Sequence, residues 1–128
     1  MIDKLKELYK NSYSPYSNYK VSAIVVMKDK KEFNGVNVEN ISYGATICAE
    51  RTAVFSAIAA GYKKGDFEKL YIMASSDEIA MPCFLCRQVI SELFDKNSTI
   101  HCCTPSGEEK VYSVSELCPY PFEGKELT

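Results

Sequence analysis

The residues of this chain best suited to chemistry are three cysteines and one glutamate. Cys83 and Cys86 have the two-residue gap that lets both sulfurs face one ion, and Cys48 opens another predicted helix. Helix N-termini favour thiolates, because the helix dipole and the unpaired N–H groups lower a cysteine pKa. Three thiolates suit Zn²⁺ and leave its fourth position open for water, as in catalytic zinc sites.

Glu50 lies two residues after Cys48. A carboxylate at that distance can reach a metal-bound water without ligating the metal, and it can carry the proton of that water to a substrate nitrogen. The sequence therefore predicts Glu50 as the general acid/base beside a catalytic Zn²⁺.

The other cysteines, Cys102, Cys103 and Cys118, lack metal-binding spacing and are predicted to be small core residues. Two alternatives remain at this point. One of these three could complete a structural four-cysteine zinc site, or the Cys-x-x-Cys pair could be two buried core thiols. His101, the single histidine, follows an isoleucine in an apolar strand and is predicted to be structural.

Length and charge exclude several classes of protein. The 128 residues predict one domain, residues 1–128, and the net charge of −2 argues against a nucleic-acid partner. No apolar run approaches the roughly 18 residues of a membrane span. The first residues mix charges with aliphatics and lack the apolar segment of a signal peptide, so we expect a cytoplasmic protein without membrane contact.

Hydrophobic periodicity predicts the elements that must position these residues. Helices are predicted over the first dozen residues, 48–60, 83–94 and 114–117, and strands over 19–27, 32–38, 70–74, 99–103 and 109–113. This alternation is typical of an α/β fold, with a mixed five-stranded sheet and helices on both faces.

Several blocks of the sequence resemble the small zinc-dependent cytidine deaminases. Cys48-Ala-Glu50 followed by Pro82-Cys83-Phe-Leu-Cys86 is similar to the deaminase pattern, with Cys in place of the frequent His. Further blocks in family order are Ser14-Pro-Tyr-Ser17, Gly35-Val-Asn-Val-Glu-Asn40, Ile47-Cys-Ala-Glu-Arg-Thr-Ala53, Cys86-Arg-Gln-Val-Ile-Ser-Glu92 and Ser115-Glu-Leu117. The resemblance covers about residues 13–122 and implies the cytidine deaminase-like fold.

The resemblance implies roles for residues on either side of the metal. It implies that Cys48, Cys83 and Cys86 bind Zn²⁺ and that Glu50 is the proton shuttle. In the same way, Asn37 and Glu39 match the pair that bonds the ribose hydroxyls. The backbone around Ala49 and Cys83 matches the edge that reads the pyrimidine, and Tyr19 stands where the family usually has Phe against the base.

Three further residues matter through charge or through a second chain. Arg51 matches an arginine that hydrogen-bonds ligand sulfurs, where its charge offsets the net −1 of a zinc ion with three thiolates. Phe122 resembles an aromatic residue placed over the base of a neighbouring subunit, and Tyr43 a residue that completes another subunit's site. The resemblance thus implies a homotetramer with shared active sites.

The chain departs from the family pattern beside the metal. Phe84-Leu85 replaces a pair of small residues between two ligands, and Met81 replaces a small residue before Pro82. Residues between ligands at i and i+3 of a helix project away from the metal. We therefore predict that Phe84 and Leu85 pack outward, against neighbouring parts of the chain or another subunit, and leave the pocket open.

These observations favour zinc-dependent hydrolytic deamination of cytidine and deoxycytidine to uridine and deoxyuridine, a reaction of pyrimidine salvage. One alternative is a deaminase of another aminopyrimidine such as blasticidin S, which does not usually carry the Asn-x-Glu ribose pair. The other is a zinc-stabilised binding protein without turnover, which would not require Glu50.

Overall fold

The computed structural model describes residues 1–127 and has the architecture that periodicity predicts. Its helices are α1 (Ile2–Tyr9), α2 (Ala49–Ala59), α3 (Phe84–Leu93) and α4 (Val114–Leu117), and its strands are β1 (Val21–Met27), β2 (Glu32–Val36), β3 (Phe67–Ala74), β4 (Phe94–Cys103) and β5 (Glu109–Ser113). Short 3₁₀ turns span Tyr43–Ala45 and Lys125–Leu127. Over residues 1–127, no helix is both long and apolar enough to cross a membrane.

The five strands form one mixed sheet in the order β2-β1-β3-β4-β5. The β3–β4 pair is parallel, and the other three pairs are antiparallel. Since β1 is antiparallel to both of its neighbours, β2 and β3 run in the same direction. Ser22 pairs with Val36 on one side and Met73 on the other, so β2 and β3 also end at the same level of the sheet. The carboxyl ends of β2 and β3 therefore lie on the same side of the sheet, which we call the shared edge, and from there the chain continues toward α2 and α3.

Alternation along the strands gives the sheet a core on each face. Ala23, Val25 and Met27 of β1 pack in a buried cluster with residues of α2, α3 and α4. Ile24 faces the other way and packs against Leu5 of α1. Helices therefore cover both faces, which confirms the predicted fold class. Successive residues Cys102 and Cys103 are buried on opposite faces, as small core side chains.

The predicted boundary between the third helix and its following strand is wrong. Phe94 is not the last residue of the helix but the first residue of β4, five residues before the predicted start at Thr99. Phe94 pairs with Phe67 of β3, and the two rings stack with their centroids 4.8 Å apart. Burial of this aromatic pair overrides the helical periodicity of the preceding residues, which is a local signal.

Gly35 allows α2 to lie directly against β2. A Cβ atom at this position would stand 2.3 Å from the carbonyl oxygen of Ala49 and 2.4 Å from the backbone nitrogen of Ala53. No side chain can occupy that space without moving the helix. Because Cys48 and Glu50 flank Ala49 at the start of α2, the missing side chain of Gly35 sets the position of both.

We predict that Gly35→Ala lowers the free energy of unfolding by about 1–3 kcal/mol or more, because the added methyl group displaces the first turns of α2. Urea unfolding followed by circular dichroism measures this change. Gly44→Ala is the matched control, since a Cβ atom there meets nothing within 4 Å, and we expect its effect to stay within about 0.5 kcal/mol. Equal stability of the two variants would contradict the close approach.

Candidate active site

Two helix N-termini bring three thiols together at the shared edge of β2 and β3. Cys48 is the N-cap of α2, Cys83 is the N-cap of α3, and Cys86 lies in the first turn of α3. The Sγ atom of Cys83 is 3.6 Å from that of Cys48 and 3.5 Å from that of Cys86. Sulfurs bound at about 2.3 Å to one tetrahedral ion are separated by about 3.8 Å. The spacing therefore fits three ligands of a single Zn²⁺.

The sulfur atoms of the three cysteines lie within 4.8 Å of one another. Within residues 1–127, no other group of three or more His, Cys, Asp or Glu side chains has its ligand atoms this close together. Cys118 is half-buried and lies outside this group, and Cys102 and Cys103 lie in the cores. Burial raises the pKa of Cys102 to about 11 and that of Cys103 to about 12, so both stay neutral. A four-cysteine structural site is thus not formed within these residues.

His101 also lies apart from the thiols. Its ring stacks on Tyr71 with centroids 4.4 Å apart, and its Nε2 atom is 2.9 Å from the hydroxyl of Thr99. Burial lowers the pKa of this imidazole. These contacts fit the predicted structural role.

Charges around the thiols favour a thiolate at Cys48. The pKa of Cys48 is lowered to about 5, first by hydrogen bonding with the Cys86 thiol and then by Arg51. The Nη2 atom of Arg51 is 3.5 Å from the Cys48 sulfur. The Nε atom of Arg51 is buried and has no hydrogen-bond partner. A guanidinium with an unsatisfied donor beside three thiols suits the net negative charge of a metal held by three thiolates.

Glu50 lies beside the thiols with 5% of its surface exposed. Burial raises the pKa of Glu50 to about 7, and the negative charge on Cys48 contributes to the increase. A carboxyl group whose pKa lies near neutrality can both accept and donate a proton at physiological pH. The position and the pKa therefore suit the predicted proton shuttle.

A pocket of about 230 Å³ opens beside this cluster. Its lining includes the predicted residues Tyr19, Asn37, Glu39, Cys48, Ala49, Glu50 and Cys83. It also includes residues to which the sequence assigned no role, namely Val21, Thr46, Ile47, Ile72 and Ala80, together with Met81. Of these, Ile47 begins one of the family blocks and Met81 departs from the family pattern, whereas the other four carry no signal in the sequence.

The amide of Asn37 is held by neighbouring parts of the chain. Its Nδ2 atom donates to the carbonyl oxygen of Tyr19 at 2.8 Å, and its Oδ1 atom accepts from the backbone N–H of Val21 at 2.9 Å and from the hydroxyl of Ser12 at 2.5 Å. One N–H of the amide is left for a ligand. The amide is thus oriented before any ligand arrives.

Glu39 is oriented by the Ser14–Ser17 block. Its carboxylate accepts from the backbone N–H groups of Tyr16 and Ser17 at 3.0 and 3.1 Å and from the Ser17 hydroxyl. The hydrogen bond from this hydroxyl lowers the pKa of Glu39. The carboxylate is therefore a fixed hydrogen-bond acceptor in the pocket wall. Sequence analysis identified the block but missed the role of Ser17.

Two predicted residues do not lie at the pocket of their own chain. Tyr43 is 79% exposed and packs edge-on against Tyr16, with ring centroids 6.5 Å apart. Phe122 is also exposed, and its carbonyl oxygen accepts from Gln88 of α3 at 2.9 Å. Neither side chain lines the pocket.

Phe84 and Leu85 are exposed and lie outside the pocket lining. The pair that departs from the family pattern thus leaves the pocket open, as the helical spacing predicts. Its packing against another chain stays a prediction.

The fold and the site together define a metal-dependent deaminase domain, and comparisons with known proteins agree. Residues 1–102 match the family model of the cytidine and deoxycytidylate deaminase zinc-binding region. The chain therefore belongs to the cytidine and deoxycytidylate deaminase family.

Within that family, this chain is similar to cytidine deaminases over nearly its whole length. It is 35% identical to the cytidine deaminase of Halalkalibacterium halodurans, over 99% of this chain and 95% of that protein. It is also 35% identical to a probable cytidine deaminase of Dictyostelium discoideum, over 98% of this chain and 84% of that protein. The crystal structure of cytidine deaminase from Burkholderia pseudomallei superposes with a TM-score of 0.90 at 42% identity, covering 94% of this chain and 95% of that one.

We expect the purified chain to carry about one zinc ion, because three thiols meet at one point. Elemental analysis before and after dialysis against a chelator measures the content. Cys48→Ser should lose the metal, whereas Cys118→Ser, which changes a thiol outside the cluster, should keep it. Zinc-free protein with full activity would contradict a catalytic metal.

Proposed function

We propose that this chain is a zinc-dependent hydrolase that converts cytidine and deoxycytidine to uridine and deoxyuridine, with release of ammonia. The observation that carries the proposal is the position of Glu50, buried between three converging thiols and a nucleoside-sized pocket. The cytidine deaminases to which the chain is similar over nearly its full length support the same substrate.

The residues at the metal end of the pocket perform the chemistry. Cys48, Cys83 and Cys86 hold the zinc ion, which when bound supplies a Lewis acid that lowers the pKa of water. Glu50 accepts one proton of the attacking water and delivers it to N3 of the pyrimidine. It then takes the remaining proton from the oxygen now bonded to C4 and gives it to the amine, which leaves as ammonia. Arg51 offsets the negative charge of the three sulfurs.

The residues at the other end of the pocket select the nucleoside. Asn37 and Glu39 bond the ribose hydroxyls, with their orientation set by the hydrogen bonds to Tyr19, Val21, Tyr16 and Ser17. Tyr19 and the backbone of Ala49 contact the base. Among the described residues that line the pocket there is no lysine or arginine, but there are two carboxyl groups, those of Glu39 and Glu50. This charge disfavours a phosphorylated substrate.

Two alternatives differ from this proposal at single residues. A deaminase of another aminopyrimidine such as blasticidin S has no need of the prearranged Asn37–Glu39 pair. A zinc-stabilised binding protein has no need of a buried carboxyl at Glu50. The two experiments below distinguish these alternatives.

Loss of ultraviolet absorbance on mixing the zinc-loaded chain with cytidine tests the reaction directly. Glu50→Gln should retain zinc and fold but lose about 10²–10⁴-fold or more in kcat, because an amide cannot accept and return the proton. Glu92→Gln, an exposed substitution on α3, serves as the control and should keep wild-type kcat. Activity of Glu50→Gln within about threefold of wild type would exclude the shuttle, and an inactive zinc-loaded wild type would favour a binding protein.

The ribose pair should make the enzyme depend on the sugar. Free cytosine leaves the polar groups of Asn37 and Glu39 unpaired, so we expect its kcat/KM to fall at least about 10²-fold below that of cytidine. Asn37→Ala should reduce that ratio by lowering activity on cytidine alone. Equal efficiency on cytosine and cytidine would show that the pair does not bind the sugar.

We also propose that residues 1–128 form one domain that assembles as a cytoplasmic homotetramer with shared active sites, acting in pyrimidine salvage. Exposed apolar side chains on α2 and α3, namely Phe55, Ile58, Phe84 and Leu85, support an assembly. Tyr43 and Phe122 are exposed away from their own pocket, which suits a role in the pocket of another copy. Light scattering should give the mass of four chains, and a monomer active at the same concentration would contradict shared sites.

A further inference from the structure

Arg87 is a half-buried residue of α3 to which the chemistry proposed above gives no role. Its backbone N–H donates to the carbonyl oxygen of Cys83 at 2.9 Å, and its Nε atom donates to the carbonyl oxygen of Pro82 at 2.8 Å. These carbonyls belong to the peptide groups on the two sides of the Cys83 Cα atom. The first bond is the regular helical bond that any residue at this position makes, whereas the second is made by the guanidinium and holds the peptide group that precedes Cys83.

The same guanidinium is anchored at a second element. Its Nη1 atom donates to the carbonyl oxygen of Leu117, the last residue of α4, at 3.2 Å. Helix α4 is fixed at its start by a capping box between Ser113 and Glu116, and Leu117 is buried. Arg87 thus connects the segment that carries Cys83 to a part of the molecule with its own stable position.

Phe84 covers the guanidinium of Arg87 from the outside. The Arg87 guanidinium carbon lies 4.5 Å from the centroid of the Phe84 ring, although the residue is 78% exposed overall. Residues three apart on a helix are neighbours, and a guanidinium prefers to stack on an aromatic face. The bulky residue that departs from the family pattern therefore has a contact within its own chain.

Cys83 needs this support more than the other two cysteines. It is the exposed member of the cluster, whereas Cys86 is buried and Cys48 is half-buried. Like Cys48, it is an N-cap with extended backbone angles, so the difference between the two lies in exposure. Its sulfur accepts a hydrogen bond from the backbone N–H of Cys86 at 3.4 Å, so its position depends on the backbone at the start of α3.

We infer that Arg87, stacked under Phe84, is a positioning residue that orients the Cys83 thiolate toward zinc. This inference rests on the zinc site of the proposed function. The support depends on the forked shape of the guanidinium, which donates to the carbonyl oxygens of Pro82 and Leu117 at the same time. Lysine keeps the positive charge but offers a single point donor, so it cannot replace both hydrogen bonds.

Zinc transfer from the loaded chain to a coloured pyridylazo chelator tests the inference without an assay of turnover. We expect Arg87→Lys to release zinc about 10- to 100-fold faster than wild type. Phe84→Ala should release it about two- to fivefold faster, the factor expected for loss of an exposed cation–π contact. The double variant should match Arg87→Lys, because the ring acts through the arginine. Tyr120→Ala removes an aromatic ring that is 96% exposed and should keep the wild-type rate.

Cobalt substitution gives a second readout. The absorption bands of the Co²⁺-loaded chain depend on sulfur geometry and should shift in Arg87→Lys but not in Tyr120→Ala. Wild-type zinc release and an unshifted spectrum in folded Arg87→Lys would overturn the inference. Should Arg87→Lys fail to fold, wild-type zinc release from Phe84→Ala would overturn it as well. A wild-type chain that binds no zinc would overturn the proposed function and this inference together, whereas zinc binding that ignores Arg87 would overturn the inference alone.

Discussion

The structure depends on one geometric constraint, namely that two helices must begin at the same point. Three sulfurs can share one ion only if they lie within a few ångströms of each other. The sheet meets this requirement because β1 is antiparallel to both β2 and β3, so the carboxyl ends of those two strands leave the sheet at one edge. Helices α2 and α3 start just beyond that edge, where open α/β sheets commonly bind ligands. The absent side chain of Gly35 then brings α2 close enough for Cys48 to meet Cys83.

Three thiols and the carboxyl of Glu50 lie close together, so their negative charges repel one another when ionised. Neighbouring residues reduce this repulsion. A thiolate at Cys48 is stabilised by the Cys86 thiol and by Arg51, while Glu50 is present in both protonated and ionised forms near neutral pH because burial raises its pKa to about 7. The Nη2 atom of Arg51 contacts the Cys48 sulfur at 3.5 Å, and its buried Nε atom has no hydrogen-bond partner. The negative charge on Cys48, which suits a metal cation, also raises the pKa of Glu50 and so helps to keep a proton on that carboxyl group.

At the opposite end of the pocket, the side chains proposed to bind the sugar are already hydrogen-bonded to the protein. Asn37 and Glu39 lie beyond the end of β2, in a segment held by an isolated bridge between Val38 and Ile47. Their polar atoms are fixed by residues from the loop that precedes β1. Rigid polar groups of this kind reduce the ordering cost of binding, which suits discrimination between a nucleoside and its free base.

Much of this protein could be predicted from its sequence, because its strongest signals are local. A two-residue gap between cysteines, a glutamate two residues after a third cysteine and the periodicity of each helix depend on neighbours along the chain, and they predicted the α/β class and the convergence of Cys48, Cys83, Cys86 and Glu50. Tertiary structure decided what depends on contacts between distant segments. Because Phe67 stacks on Phe94, β4 begins at a residue that periodicity assigned to a helix. Ser17 donates a hydrogen bond to Glu39, which lies 22 residues further along the chain. It also placed Tyr43 and Phe122 outside their own pocket. Such outcomes depend on which distant surfaces meet after folding, and the spacing of residues within one segment does not determine those contacts.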